Sequence, residues 1–144
     1  MEIKRFEDLR CWQEARKLVN IVYEAIRKSP EFQKDFRLVG QITDAAVSSM
    51  SNIPEGFSRR SNKEFTQFLF VSKSSATEVQ SEAYVALDQR YVSKESFEEI
   101  YEQADQVSKI VSGLITYLLR NEKNLIKLNK RNKLNTPNKP PKPE

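Results

Sequence analysis

Apolar residues recur three and four positions apart along four long stretches of this chain, the spacing that gathers side chains onto one face of an α-helix. The first stretch carries Leu9, Trp12, Ala15, Leu18, Val19, Val22, Ala25 and Ile26. Asp8 stands where an N-cap is expected, and Ser29-Pro30 closes the stretch, because the residue before a proline avoids the helical region. The second stretch runs from about residue 36 to 57 through Leu38, Ile42, Ala45, Ala46, Ser49, Met50 and Ile53, with Gly40 weakening its first turns.

The third stretch has the clearest start. Ser61-Asn62-Lys63-Glu64 reads as a capping box, in which the Ser61 hydroxyl accepts from the Glu64 amide while the Glu64 carboxylate reaches back. Phe65, Phe68, Leu69, Ser72, Ser75, Ala76, Val79, Ala83, Ala86 and Leu87 then keep helical spacing. After a short link, Tyr91-Val92-Ser93, a fourth stripe follows through Phe97, Ile100, Tyr101, Ala104, Val107, Val111, Leu114, Ile115, Leu118 and Leu119. Ser93 can cap it, and Glu95 suits the positive end of a helix dipole.

Four amphipathic helices joined by short links predict an all-α fold, an antiparallel up-down-up-down four-helix bundle over residues 1–120. Tyr23, Phe70, Tyr84, Val85, Ile110 and Tyr117 fall off the main stripes. Several such residues on long helices favour self-association over a monomer.

Residues 45–64 are the most informative stretch. Small residues (Ala45, Ala46, Ser48, Ser49, Ser51) let a neighbouring backbone come close. They lead into Asn52-Ile53-Pro54-Glu55-Gly56, where a proline and a glycine bend or end the helix. Glu55 beside Gly56 and Arg59 reads as an ion pair or cap that fixes an elbow, ahead of a functional acid, and Asn52 reads as a structural hydrogen-bonding residue. Arg59, Arg60 and Lys63 form a small cationic patch there, able to attract phosphate if repeated around a ring, or else an ordinary solvated corner.

The last 24 residues differ from the rest. Residues 121–144 carry seven cations against two anions, a net +5, while the remaining 17 cations and 18 anions leave residues 1–120 at −1. The chain thus divides into a nearly neutral bundle and a basic Asn/Lys/Pro-rich tail. Residues 121–135 can extend the last helix a little. From Thr136 onward four prolines exclude a helix and predict disorder. Lys127, Lys130, Arg131, Lys133, Lys139 and Lys142 suit weak, sequence-independent attraction to RNA or DNA, or simple solubility. Aromatic residues for base stacking are missing from the tail, which argues against specific single-strand recognition there.

Chemistry is excluded more firmly than it is suggested. The single cysteine, Cys11, rules out an internal disulfide and a cysteine metal cluster, and beside Trp12 it reads as a packing residue. Glu78 with Glu82, and Glu98 with Glu102, lie one turn apart, but a di-iron bundle wants Glu-x-x-His from two helices and the chain has no histidine. The same absence removes the usual hydrolase triads, and phosphate-binding glycine loops are missing. No catalytic, cofactor-binding or metal-binding residue is expected, and the protein reads as a non-enzyme. No apolar run approaches the length of a membrane span, and the charged N-terminus lacks a signal-peptide core, so the expected compartment is the cytoplasm.

These residues also carry a resemblance. Phe6, Leu9, Trp12 and Ala15, then Leu38, Gln41, Ala45, Ala46 and Ser48, then Asn52, Ile53, Glu55, Gly56 and Arg59, and finally Ser61, Glu64, Phe65, Phe68, Leu69, Ser75 and Glu78 resemble in order the bacterial four-helix-bundle proteins encoded by intervening sequences in 23S ribosomal RNA genes. The accessory variability determinant of diversity-generating retroelements is related to that family. Asp44, Pro54 and Ser74 depart from its usual pattern of Arg or Lys, Ala and Gly. The resemblance implies a homopentameric barrel and association with RNA, DNA or a ribonucleoprotein, with a reverse transcriptase as one kind of protein partner. The expected function is therefore a non-enzymatic, homo-oligomeric accessory protein associated with nucleic acid; the alternative is a protein-interaction scaffold that touches none.

Overall fold

The structure, a computed structural model, describes residues 3–135, with side chains for residues 3–122 and for Arg131. Among them are α1 (Arg10–Arg27), a one-turn α2 (Pro30–Lys34), α3 (Phe36–Phe57), α4 (Asn62–Asp88) and α5 (Lys94–Asn135), and no strand. The long helices α1, α3, α4 and α5 form the expected antiparallel bundle. α4 lies between α3 and α5, and α1 packs against both α3 and α5, closing the ring.

Each start has an identifiable cause, and the first differs from expectation. Asp8 does not cap α1. It belongs to a 3-10 turn, Phe6–Asp8, whose bonds run from the Asp8 amide to Arg5 and from the Leu9 amide to Phe6. The turn delays helix entry by one residue, leaving Leu9 at the N-cap without a side-chain acceptor. Phe6 lies edge-on to Trp12 at 5.3 Å, so an aromatic contact covers this end.

Ser29-Pro30 ends α1 as expected but also opens α2. Pro30 takes the first helical position, where a missing N–H is harmless, and the Ser29 hydroxyl accepts from the Phe32 amide at 3.2 Å. Phe32 is fully buried. Asp35 then caps α3, accepting from the Leu38 amide at 3.1 Å. Ser61 accepts from the Glu64 amide at 3.2 Å, and Ser93 from the Ser96 amide at 3.0 Å, so both serines cap as expected, but the Glu64 carboxylate makes no return bond and the capping box is only half formed.

The core is the four stripes folded inward: Ala15, Leu18 and Val22 meet Ile42, Ala46 and Ile53, Leu69, Ala76 and Val79, and Ile100, Val107 and Val111. On the α1–α5 side, Gln103 donates to the Glu14 backbone carbonyl at 2.9 Å and to its carboxylate at 2.8 Å. That bond, with Lys17 alongside, holds the Glu14 carboxyl below its ordinary range. α5 does not stop near residue 120. Residues 121–135 continue it as helix, further than a small extension, while 136–144 lie outside the described residues.

Candidate nucleic-acid interface

The α3–α4 seam is built from small side chains that share hydroxyl bonds. Ser72 donates to the backbone carbonyl of Ser49 at 2.6 Å, buried between the helices. One turn on, the Ser48 and Ser75 hydroxyls meet at 2.8 Å, and Asn52 donates to the Ser48 carbonyl at 2.8 Å and to its hydroxyl at 3.0 Å. Asn52 is therefore structural, bonded within its own helix rather than across to α4. Each bond satisfies a group that would otherwise be desolvated without a partner.

The seam ends at the elbow, where the expected signature residues separate by role. Ile53 is fully buried in the core. Pro54 sits inside α3, and the helix ends only three residues later, at Phe57. Proline removes one helical bond there, and the Ser58 amide still closes the last turn onto the Pro54 carbonyl at 3.0 Å. Gly56 is the contact point. A Cβ there would lie 2.8 Å from the Phe68 Cβ and 3.1 Å from the Phe65 carbonyl oxygen, so only glycine lets α4 pass this closely.

Glu55 points outward and pairs with Arg59 at 3.6 Å. The Arg59 guanidinium also lies 4.8 Å over the Phe68 ring. Arg59 is thus oriented from two sides while remaining half-exposed. Arg60 and Lys63 are exposed a few residues away, and among the described residues neither has an ion-pair partner. The elbow gathers all three expected cations at one corner, with one acid tempering the first of them. Phe68 as the platform under Arg59 was invisible in the sequence, because its spacing reads only as core.

The backbone of α5 runs toward the same end. Gln80 donates to the Tyr101 carbonyl at 3.2 Å and Tyr84 packs on Phe97, fixing the antiparallel register of α4 against α5. Carried along both helices, that register brings the first turn of α4 beside Leu118 and Leu119. The α5 backbone beyond residue 120 therefore continues past the elbow end. Arg131 is exposed on it, while the side chains of Lys130 and Lys133 lie outside the described residues.

Among the described residues no grouping of three acids, cysteines or histidines can hold a metal ion, and no helix is long and apolar enough to cross a membrane. Cys11 is buried, and burial pushes its thiol up to about 11, which keeps it protonated and unreactive.

A bundle of four long antiparallel helices with a tight small-residue seam and a cationic elbow defines the class: an all-helical bundle protein. Residues 7–113 match the 23S rRNA-intervening sequence protein family, and the chain belongs to that family. A similar fold occurs in the crystal structure of a protein of unknown function from the S23 ribosomal protein family of Bacteroides thetaiotaomicron VPI-5482. That chain is 22% identical, with a TM-score of 0.61 over 73% of this chain and 94% of the other. No curated protein matches the sequence.

Proposed function

We propose that this protein is a non-enzymatic, homo-oligomeric accessory factor, a pentamer, that associates with nucleic acid or a ribonucleoprotein in the cytoplasm through its elbow end. The observation that carries the reading is the convergence of Arg59, Arg60 and Lys63 at the elbow with the basic continuation of α5 beyond the same end. Symmetry would repeat that patch in every subunit, and each phosphate contact adds its own counterion release. Exposed Tyr23, Phe70, Val71, Tyr84 and Tyr117 supply apolar surface for subunit contacts.

The test is filter binding of the full-length protein to RNA and to DNA at two salt concentrations, with light scattering on the same sample. Binding should weaken with salt by about 0.7–0.9 log units per phosphate contact for each tenfold rise in salt. Replacing Arg59 and Arg60 by Ala should weaken binding and flatten that slope. Unchanged affinity removes the elbow from the argument. No salt-sensitive binding at all leaves the scaffold reading, in which the exposed aromatic residues recruit a protein partner. A monomer or dimer by light scattering defeats the ring.

A further inference from the structure

The α3–α4 seam contains one group that its packing does not explain. Glu82, on α4, is only 9% exposed, and its Oε2 atom is buried with no hydrogen-bond partner. A carboxylate cannot sit in such a place unneutralised, because an unpaired buried charge is among the most costly things a fold can hold. A cation would solve the problem, but none is there. Among the described residues, the charged groups acting on Glu82 are Glu78, one turn earlier on α4, and Asp44, which faces it from α3; α1 and α5 contribute none. Both neighbours are acids.

We propose that burial holds a proton on Glu82, and that this proton is a latch on the α3–α4 seam that releases when it is lost. Protonated, Glu82 is neutral and can stay buried on the α4 side of the seam. Deprotonated, it becomes a walled-in anion facing two others, and the two helices must loosen locally for its carboxylate to reach water. Burial first, then Glu78, then Asp44 push the Glu82 carboxyl up to about 7, so the release falls near neutrality.

The direction follows from linkage. The folded state holds the proton more tightly than the unfolded chain does, so stability is complete at low pH and falls as pH rises through neutrality. The folded-to-unfolded ratio should drop by up to about tenfold per pH unit across that window.

Thermal unfolding of the full-length protein between pH 5.5 and 8.5 tests the latch. The wild-type midpoint should fall as pH rises. Glu82→Gln, which mimics the protonated form, should stay level and stand above wild type at pH 8.5. Asp44→Asn should keep a smaller fall that ends at lower pH, because one of the two repelling charges is gone. Parallel profiles for wild type and Glu82→Gln would overturn the proposal. Carbon-13 titration of the glutamate carboxyls in the wild-type protein decides the matter even if a variant folds poorly: Glu82 should titrate last of them, and an ordinary midpoint would end the idea. Hydrogen exchange, corrected for intrinsic rate, should rise in residues 41–49 and 75–82 when Glu82 charges; unchanged protection there would remove the latch.

Discussion

The two corners that join the long helices on either side of α4 solve the same problem by opposite means. At the α3–α4 corner the chain removes a side chain: Gly56 lies so close under Phe65 and Phe68 that no Cβ fits. The turn itself needs no unusual backbone, and its side chains face outward as cations. At the α4–α5 corner the chain instead bends one residue into the left-handed region, Arg90 at φ 63°. The Tyr91 amide then bonds back to the Ala86 carbonyl at 2.9 Å, and the Arg90 amide to Leu87 at 3.0 Å, the pattern of a Schellman cap. Tyr91 turns inward, stacks on Phe32 at 5.4 Å and donates to Asp35 at 3.0 Å. One corner is tight and turns its cations outward. The other is tied across the bundle by Tyr91.

The comparison breaks most readily at Gly56. Gly56→Ala should cost about 3 kcal/mol, because the added methyl meets backbone and a Cβ rather than the tip of a flexible side chain. Urea denaturation reads this directly. Gly40 and Gly113 have nothing within 4 Å of an added Cβ, so Gly40→Ala and Gly113→Ala should stabilise by up to about 1 kcal/mol through helix propensity. If Gly56→Ala behaved like these two, close approach would not be what shapes the elbow.

The tied corner should break more gently and in two steps. Asp35 serves two elements at once: one carboxylate oxygen caps α3 at Leu38, and the other accepts from Tyr91. Asp35→Ala should cost about 1–2 kcal/mol through the lost cap and should also free Tyr91. Tyr91→Phe keeps the stacked ring and loses only the hydroxyl bond, so its effect should be the smaller. The pair should be sub-additive in a double-mutant cycle of urea midpoints, since both changes remove one shared bond. Strict additivity would mean that the hydroxyl bond contributes nothing.

The difference between the corners also explains what could be read in advance. Helix existence, the Ser61 and Ser93 caps and the small-residue approach at 45–56 are local patterns, visible because periodicity and capping depend on residues three or four apart. The cationic patch was legible for the same reason: Arg59, Arg60 and Lys63 are neighbours in sequence. The Tyr91–Asp35 bond joins residues 56 apart, and nothing in either residue announces the other. Glu82 was visible as half of an acidic pair, but only packing shows that it is walled in. Asp8 misled because a favoured cap residue can be diverted when the preceding residues wind into a 3-10 turn. The length of α5 was understated because Asn and Lys weaken a helical pattern without excluding a helix.

The smallest expected effect tests the α4–α5 corner from the stabilising side. An arginine in the left-handed region crowds its own Cβ against the following carbonyl, at a cost of about 1–2 kcal/mol. Glycine carries no such penalty but gains freedom in the unfolded chain, which offsets part of the relief. Arg90→Gly should therefore raise stability by about 0.5–1 kcal/mol, seen as a higher urea midpoint with an unchanged slope. Arg90→Val should do the reverse, because a branched Cβ is least tolerated at positive φ. If the glycine variant were neutral and the valine variant no worse, the strain would be absent, and the corner would rest on Tyr91 alone. The elbow, which contains no left-handed residue among those described, should show no such asymmetry at Arg59 or Arg60.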